Sequence, residues 1–182
     1  RLGGISLRPV LVDGSTVAAT ISDQTISVPL GKSLADGATT MVHIRYGATL
    51  RSSLSGSNWL FAKANGVMDL YRWLPWVSKR VAFDRPNHGD PFVTGNSTSV
   101  RVTVVADRKL VVATTGDRVA YTPDGLSQTF QATNVRDFTV TAAEDYRTGS
   151  RVVDGTTVRV WYRPGSPGGA ILDAAADAFH LL

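Results

Sequence analysis

The chain has 182 residues, a formal net charge of +4 and no cysteine. That length supports one sizeable core, and the missing thiols exclude disulfides and thiolate metal sites. The basic residues are scattered rather than gathered in a stripe, and no apolar run approaches the ~20 residues of a spanning helix, so neither a nucleic-acid partner nor a membrane span is expected in this chain.

From the N-terminus, residues 5–12, 16–21 and 24–30 read as strands. Val42, Ile44 and Tyr46 alternate with His43 and Arg45, the pattern of a half-buried strand. Residues 47–57, rich in Ser, Gly and Leu, read as a loop. Residues 58–63 and 67–72 read as strands feeding a long central segment. Beyond it Val100, Val102 and Val104 alternate with Arg101 and Thr103, the cleanest period-two pattern in the chain. Residues 109–114, 118–122, 127–132 and 138–142 continue the series. Val158, Val160 and Tyr162 share one face of a last strand, with Thr157, Arg159 and Trp161 on the other. Four Asp-Gly pairs begin at Asp13, Asp36, Asp124 and Asp154. Each tolerates the positive φ of a tight turn and marks a hairpin candidate. Many short strands with no helical pattern between them predict an all-β fold, a saddle-like antiparallel β-sandwich. A Pro/Gly cluster at 164–169 then breaks the pattern. After it Ile171, Leu172, Ala175, Ala176 and Phe179 fall on one side of a short C-terminal helix, with Asp173 and Asp177 on the other.

The central segment, 70–93, holds Trp73 and Trp76, three prolines (Pro75, Pro86 and Pro91), Asp84, Asp90 and His88. Each proline removes a backbone donor and fixes φ, which argues against helix. Ordered long loops of this kind are usually functional or form an interface. If the segment is extended, Tyr71, Trp73 and Pro75 share one face, and Leu74 and Trp76 the other. The aromatics fit either a ligand platform or a buried domain interface, and burial is the commoner use. Asp84, Asn87, His88, Gly89 and Asp90 fit either a cation or acid–base site or a structural turn. Calcium takes six or more oxygen ligands, more than this stretch supplies, whereas Asp and Asn routinely bond backbone N–H groups in turns, so the turn is favoured. Arg136 and Asp137 read as an ion pair at the start of a strand. No G-x-S-x-G, P-loop or H-E-x-x-H occurs. Of the three histidines, His43, His88 and His180, none precedes Glu. No catalytic and no metal-ligating residue is therefore expected.

Trp73-x-Pro75-Trp76, then Phe83-Asp84-x-Pro86-Asn87-His88-Gly89-Asp90-Pro91-Phe92, then an alternating strand, resembles the N-terminal domain of aminopeptidase N-like zinc metallopeptidases (gluzincins), most nearly their bacterial branch. Asn134-Val135-Arg136-Asp137-Phe138 resembles the same branch. The family's typical aromatic–Pro–Cys–x–Asp–Glu–Pro run is replaced by Phe83-Asp84-Arg85-Pro86, without Cys or Glu, which sets aside any transfer of its role in binding the substrate terminus.

The resemblance implies a non-catalytic N-terminal β-sandwich domain over residues 1–167. Residues 168–182 would then be the truncated start of a missing catalytic domain. It implies packing on that C-terminal domain, zinc held there rather than in this chain, a peptide substrate for the parent hydrolase, and a share in one wall of the substrate cleft. Tyr71, Arg72, Trp73 and Trp76 are the positional candidates for the wall or the domain interface. The alternatives are a stand-alone β-sandwich binding or adhesion module, and the scaffold domain of a catalytically dead homologue. The start at Arg1, without Met, points to something upstream, such as a removed signal or an anchor, and an extracytoplasmic setting is favoured.

Overall fold

Pro9 divides the first apolar run, because it offers no backbone N–H to a ladder and fixes φ. The computed structural model describes residues 5–22, 25–54, 61–71, 73–77 and 95–181. It places β1 (Ile5–Leu7) before that proline and β2 (Val10–Val12) after it. β3 (Ser15–Val17), β4 (Thr20–Ser22) and β5 (Thr25–Ser27) follow, then β6 (Val42–His43), β7 (Tyr46–Ala48), β8 (Phe61–Ala64) and β9 (Val67–Leu70). The second half holds β10 (Ser97–Val105), β11 (Val111–Thr114), β12 (Asp117–Tyr121), β13 (Ser127–Val135), β14 (Val140–Ala143), β15 (Arg147–Val153) and β16 (Thr156–Tyr162). Helix α1 (Gly168–His180) comes last.

All strand pairings in the sheets are antiparallel. A four-stranded sheet, in the order β11-β14-β9-β8, lies against a three-stranded one, β10-β13-β12. Their inner faces make the main core: Val102 and Phe130 from one side, Val112, Val140 and Ala142 from the other, with Phe138 fully buried beside them. The alternation of Val100, Val102 and Val104 against Arg101 and Thr103 therefore does what its period predicts, turning the valines to the core and the polar residues outward. This is the antiparallel β-sandwich the sequence predicts. Smaller sheets, β1-β7, β3-β2-β6 and β4-β5, form the N-terminal part.

Several boundaries differ from expectation. The strand predicted across 42–46 is two short strands, with the Arg45 carbonyl accepting the Arg8 N–H at 2.8 Å between them. Val42 faces solvent, whereas Ile44 and Tyr46 are half-buried. Gly47 and Ala48, expected in a loop, belong to β7. Three Asp-Gly pairs lie between paired strands, at the turns β2–β3, β12–β13 and β15–β16, but Asp36-Gly37 turns the chain between β5 and β6, which do not pair. Asn65-Gly66 closes the β8–β9 hairpin, both residues with positive φ (51° and 78°), as a primed turn requires.

The helix covers one face of the β15–β16 hairpin. Gly168 is buried against Tyr162, where a Cβ would lie 2.5 Å from the ring. Leu172 touches the position a Cβ on Gly149 would fill, at 3.3 Å. Ala176 is buried. Arg151 bonds Asp173 at 2.5 Å and His180 Nδ1 lies 2.8 Å from Asp154, so the middle of the helix and its C-terminal end are tied to the hairpin. Ile171 and Phe179 stay exposed, so only the middle of the predicted apolar stripe is used here.

Candidate functional site

The two segments singled out in sequence meet in space. Trp73 Nε1–H donates to the Phe138 carbonyl at 2.9 Å, and Trp76 Nε1–H donates to the Gly95 carbonyl at 2.9 Å. The Tyr46 hydroxyl donates to the Trp73 carbonyl, and burial pushes its phenol pKa up. Trp73, Leu74 and Trp76 all pack against the core cluster, while Pro75 and Val77 face outward. Simple alternation puts Trp73 and Trp76 on opposite faces. Here both rings, with Leu74, pack on the same cluster, so the segment does not alternate as an extended strand would.

Next to these rings the chain rises again into β10. Asn96 Nδ2 donates to Asn134 Oδ1 at 2.8 Å, and Asn96 Oδ1 accepts from Arg136 Nε at 3.2 Å. Asn134 sits at φ 54°, a conformation Asn tolerates better than most residues. Asp137 Oδ1 accepts the Phe138 N–H at 2.7 Å. Among the described contacts, then, Arg136 turns to Asn96 and Asp137 to the backbone, rather than to each other as an ion pair. A groove of about 700 Å³ lies between Leu74–Val77 and Ser97–Val102, with Trp76 in one wall and the β10 backbone in the other.

Tyr71 is half-buried at the end of β9. Arg72 lies outside the described residues, as do Asp84, Asn87, His88, Gly89 and Asp90. The described residues thus bring Trp73 and Trp76 onto the same core cluster, with Tyr71 half-buried two residues before Trp73. Sequence reasoning missed the anchors of the tryptophan segment, Tyr46 and Gly95, and also Asn96, which bonds Asn134 and Arg136. Tyr46 carried a signal, since a Tyr on the buried face of a strand needs a partner for its hydroxyl. Gly95 carried none, because it contributes only a carbonyl.

Among the described residues no group of three or more His, Cys, Asp or Glu could hold a metal ion. His43 and His180 sit beside other partners, Met41 and Asp154. The sequence holds no H-E-x-x-H motif. No described helix is long and apolar enough to cross a membrane.

No protein-family model and no curated protein sequence matches the chain. Solved structures do match. An M1 zinc metallopeptidase from Deinococcus radiodurans aligns with a TM-score of 0.60 at 17% identity, over 99% of this chain and 43% of that one. The chain has the fold of part of an M1 zinc metallopeptidase. A two-domain M1 zinc metallopeptidase mutant bound to L-arginine aligns at 0.58 and 18% identity with the same coverage. A Deinococcus radiodurans M1 mutant bound to a Tyr-Ser-Ala substrate aligns at 0.55 and 18%, over 92% and 40%. The chain spans 43% of the length of the first two M1 structures. The M1 likeness therefore takes in the sandwich, the Trp73–Trp76 segment and α1 together.

Proposed function

We propose that this chain is the non-catalytic N-terminal domain of an aminopeptidase N-like M1 zinc metallopeptidase. The observation that carries the reading is the fold match over 99% of this chain but 43% of the matched M1 structure, together with the sequence likeness of the Trp73–Trp76 and Asn134–Phe138 segments. The parent enzyme removes residues from peptide N-termini, with zinc held outside this chain. Residues 1–167 form the domain, and 168–182 open the catalytic one. Helix α1 then bridges the two, tied on this side by Arg151–Asp173 and His180–Asp154. Ile171, Phe179 and Leu181, exposed in this chain, pack on the catalytic domain in the parent.

Tyr71, Arg72, Trp73 and Trp76 stand at the cleft wall or the domain interface. The indole N–H groups of both tryptophans are bonded inward and their rings pack on the core, which supports a wall or interface over an open platform for a free ligand.

The test compares the parent protein with the 182-residue chain on aminoacyl-anilide substrates. The parent hydrolyses them, loses activity to a chelator and regains it with Zn²⁺. The isolated chain does neither and holds no stoichiometric zinc. A parent that folds but binds no zinc is the scaffold of a dead homologue, and a chain that hydrolyses on its own overturns the reading.

A further inference from the structure

Met41 and His43 stand two residues apart, which in extended backbone puts both side chains on one side. The His43 Nε2 lies 3.2 Å from the Met41 Sδ, and both side chains are exposed. A thioether is a weak hydrogen-bond acceptor, so this approach gains little as a hydrogen bond. The separation is also close to that of two donors on one ion. Bond lengths of about 2.0–2.3 Å at a tetrahedral angle put nitrogen and sulfur roughly 3.5 Å apart. A few tenths of an ångström of movement suffices, and the flexible Met side chain supplies it.

The backbone beneath the pair is fixed. Asp13 Oδ1 accepts the Met41 N–H at 2.9 Å, the Asp13 N–H donates to the Met41 carbonyl at 2.9 Å, and the Thr40 hydroxyl donates to Asp13 Oδ2 at 3.0 Å. His43 is held in register opposite Leu11 in the β2–β6 ladder. The donors are thus mobile at their tips and anchored at their roots. Nothing else in the chain competes for a soft ion through sulfur, since it has no cysteine and its other methionine, Met68, packs against the core.

We propose that Met41 and His43 form a surface site for a soft monovalent cation, Cu(I). A thioether with an imidazole suits Cu(I) and does not suit Mg²⁺ or Ca²⁺, which take oxygen ligands, or Zn²⁺, whose sulfur ligand is a thiolate. Two protein donors leave coordination positions to water or an outside ligand, so the ion exchanges readily. The site is independent of the peptidase reading and supplies no part of its chemistry.

The test titrates the 182-residue chain with Ag(I), and with Cu(I) anaerobically against a chromophoric chelator, while NMR follows the Met ε-methyl and His ring protons. One equivalent should shift the Met41 methyl and the His43 ring and leave Met68 in place. Met41→Leu and His43→Phe, both at exposed positions, should each weaken binding by about tenfold or more at an unchanged melting midpoint, and Zn²⁺ should not compete. A Met41 methyl that stays put at one equivalent, an affinity unchanged in Met41→Leu, or equal competition by Zn²⁺ would overturn the assignment.

Discussion

The indole N–H of Trp73 donates to the carbonyl of Phe138 at 2.9 Å across 65 residues of sequence. Phe138 is itself fully buried, so the bond fixes the central segment to the middle of the sandwich core. It joins the two stretches in which the family likeness is written.

Replacing Trp73 by Phe keeps most of the ring and removes the donor. The Phe138 carbonyl then loses its partner, at a cost of roughly 1–3 kcal/mol. Trp73→Ala adds the loss of packing and costs about 3–5 kcal/mol. Denaturant melts of the two variants check the order. Equal midpoints for both variants and the parent chain would mean that the ring is not part of the core.

Gly168→Ala tests how α1 is seated. An added Cβ would meet the Tyr162 ring at 2.5 Å, and forced overpacking of this kind typically costs about 1–3 kcal/mol. The expected result is faster hydrogen exchange in α1 and on the covered face of β15–β16, with the β10–β13 ladder unchanged. Gly169→Ala, where a Cβ meets nothing, is the matched control.

How much of this was legible in sequence depends on where each signal lives. The valines of β10 face the core because alternation is a property of the strand itself. β15 was missed because Arg147-Thr148-Gly149-Ser150-Arg151 carries no alternation. Its strand character comes from pairing with β16, and Gly149 is small where Leu172 of the helix approaches. Asp36-Gly37 has the chemistry of a hairpin turn but lies between strands that do not pair, and only its glycine has positive φ, whereas Asn65-Gly66 closes a hairpin with positive φ at both residues. The Trp73 and Trp76 segment stood out in sequence through its aromatics and prolines. The anchors did not, because backbone carbonyls such as those of Gly95 and Phe138 leave no mark in side-chain pattern.

Arg163 reaches across elements. Its guanidinium holds Asp145, with Nη2 to Oδ2 at 2.6 Å, and donates to the Asn65 carbonyl in the β8–β9 turn. Both charged side chains are more than a third exposed, so the pair itself contributes only roughly 0–1 kcal/mol. Arg163→Met should therefore move the melting midpoint little. It should raise hydrogen exchange at Asn65 and Gly66, where the carbonyl contact is lost. Unchanged exchange at that turn would contradict the tie.

Several carboxyls are held below their ordinary range: Asp13 chiefly by the Met41 backbone N–H, Asp124 by the Thr122 hydroxyl and Asp145 by Arg163. A depressed folded pKa stabilises above the unfolded value and is lost as pH falls through the folded one. Stability should hold above about pH 5 and decline below about pH 4, the unfolded carboxyl range. Asp13→Asn should flatten that decline. A melting midpoint level from pH 5 to pH 3 would contradict the bonds.

The most direct measurement is to read the residues encoded immediately after Leu182 in the gene. The account predicts an H-E-x-x-H helix with a Glu downstream to complete a His₂Glu zinc site. A stop codon there, or a next domain without those ligands, would contradict it.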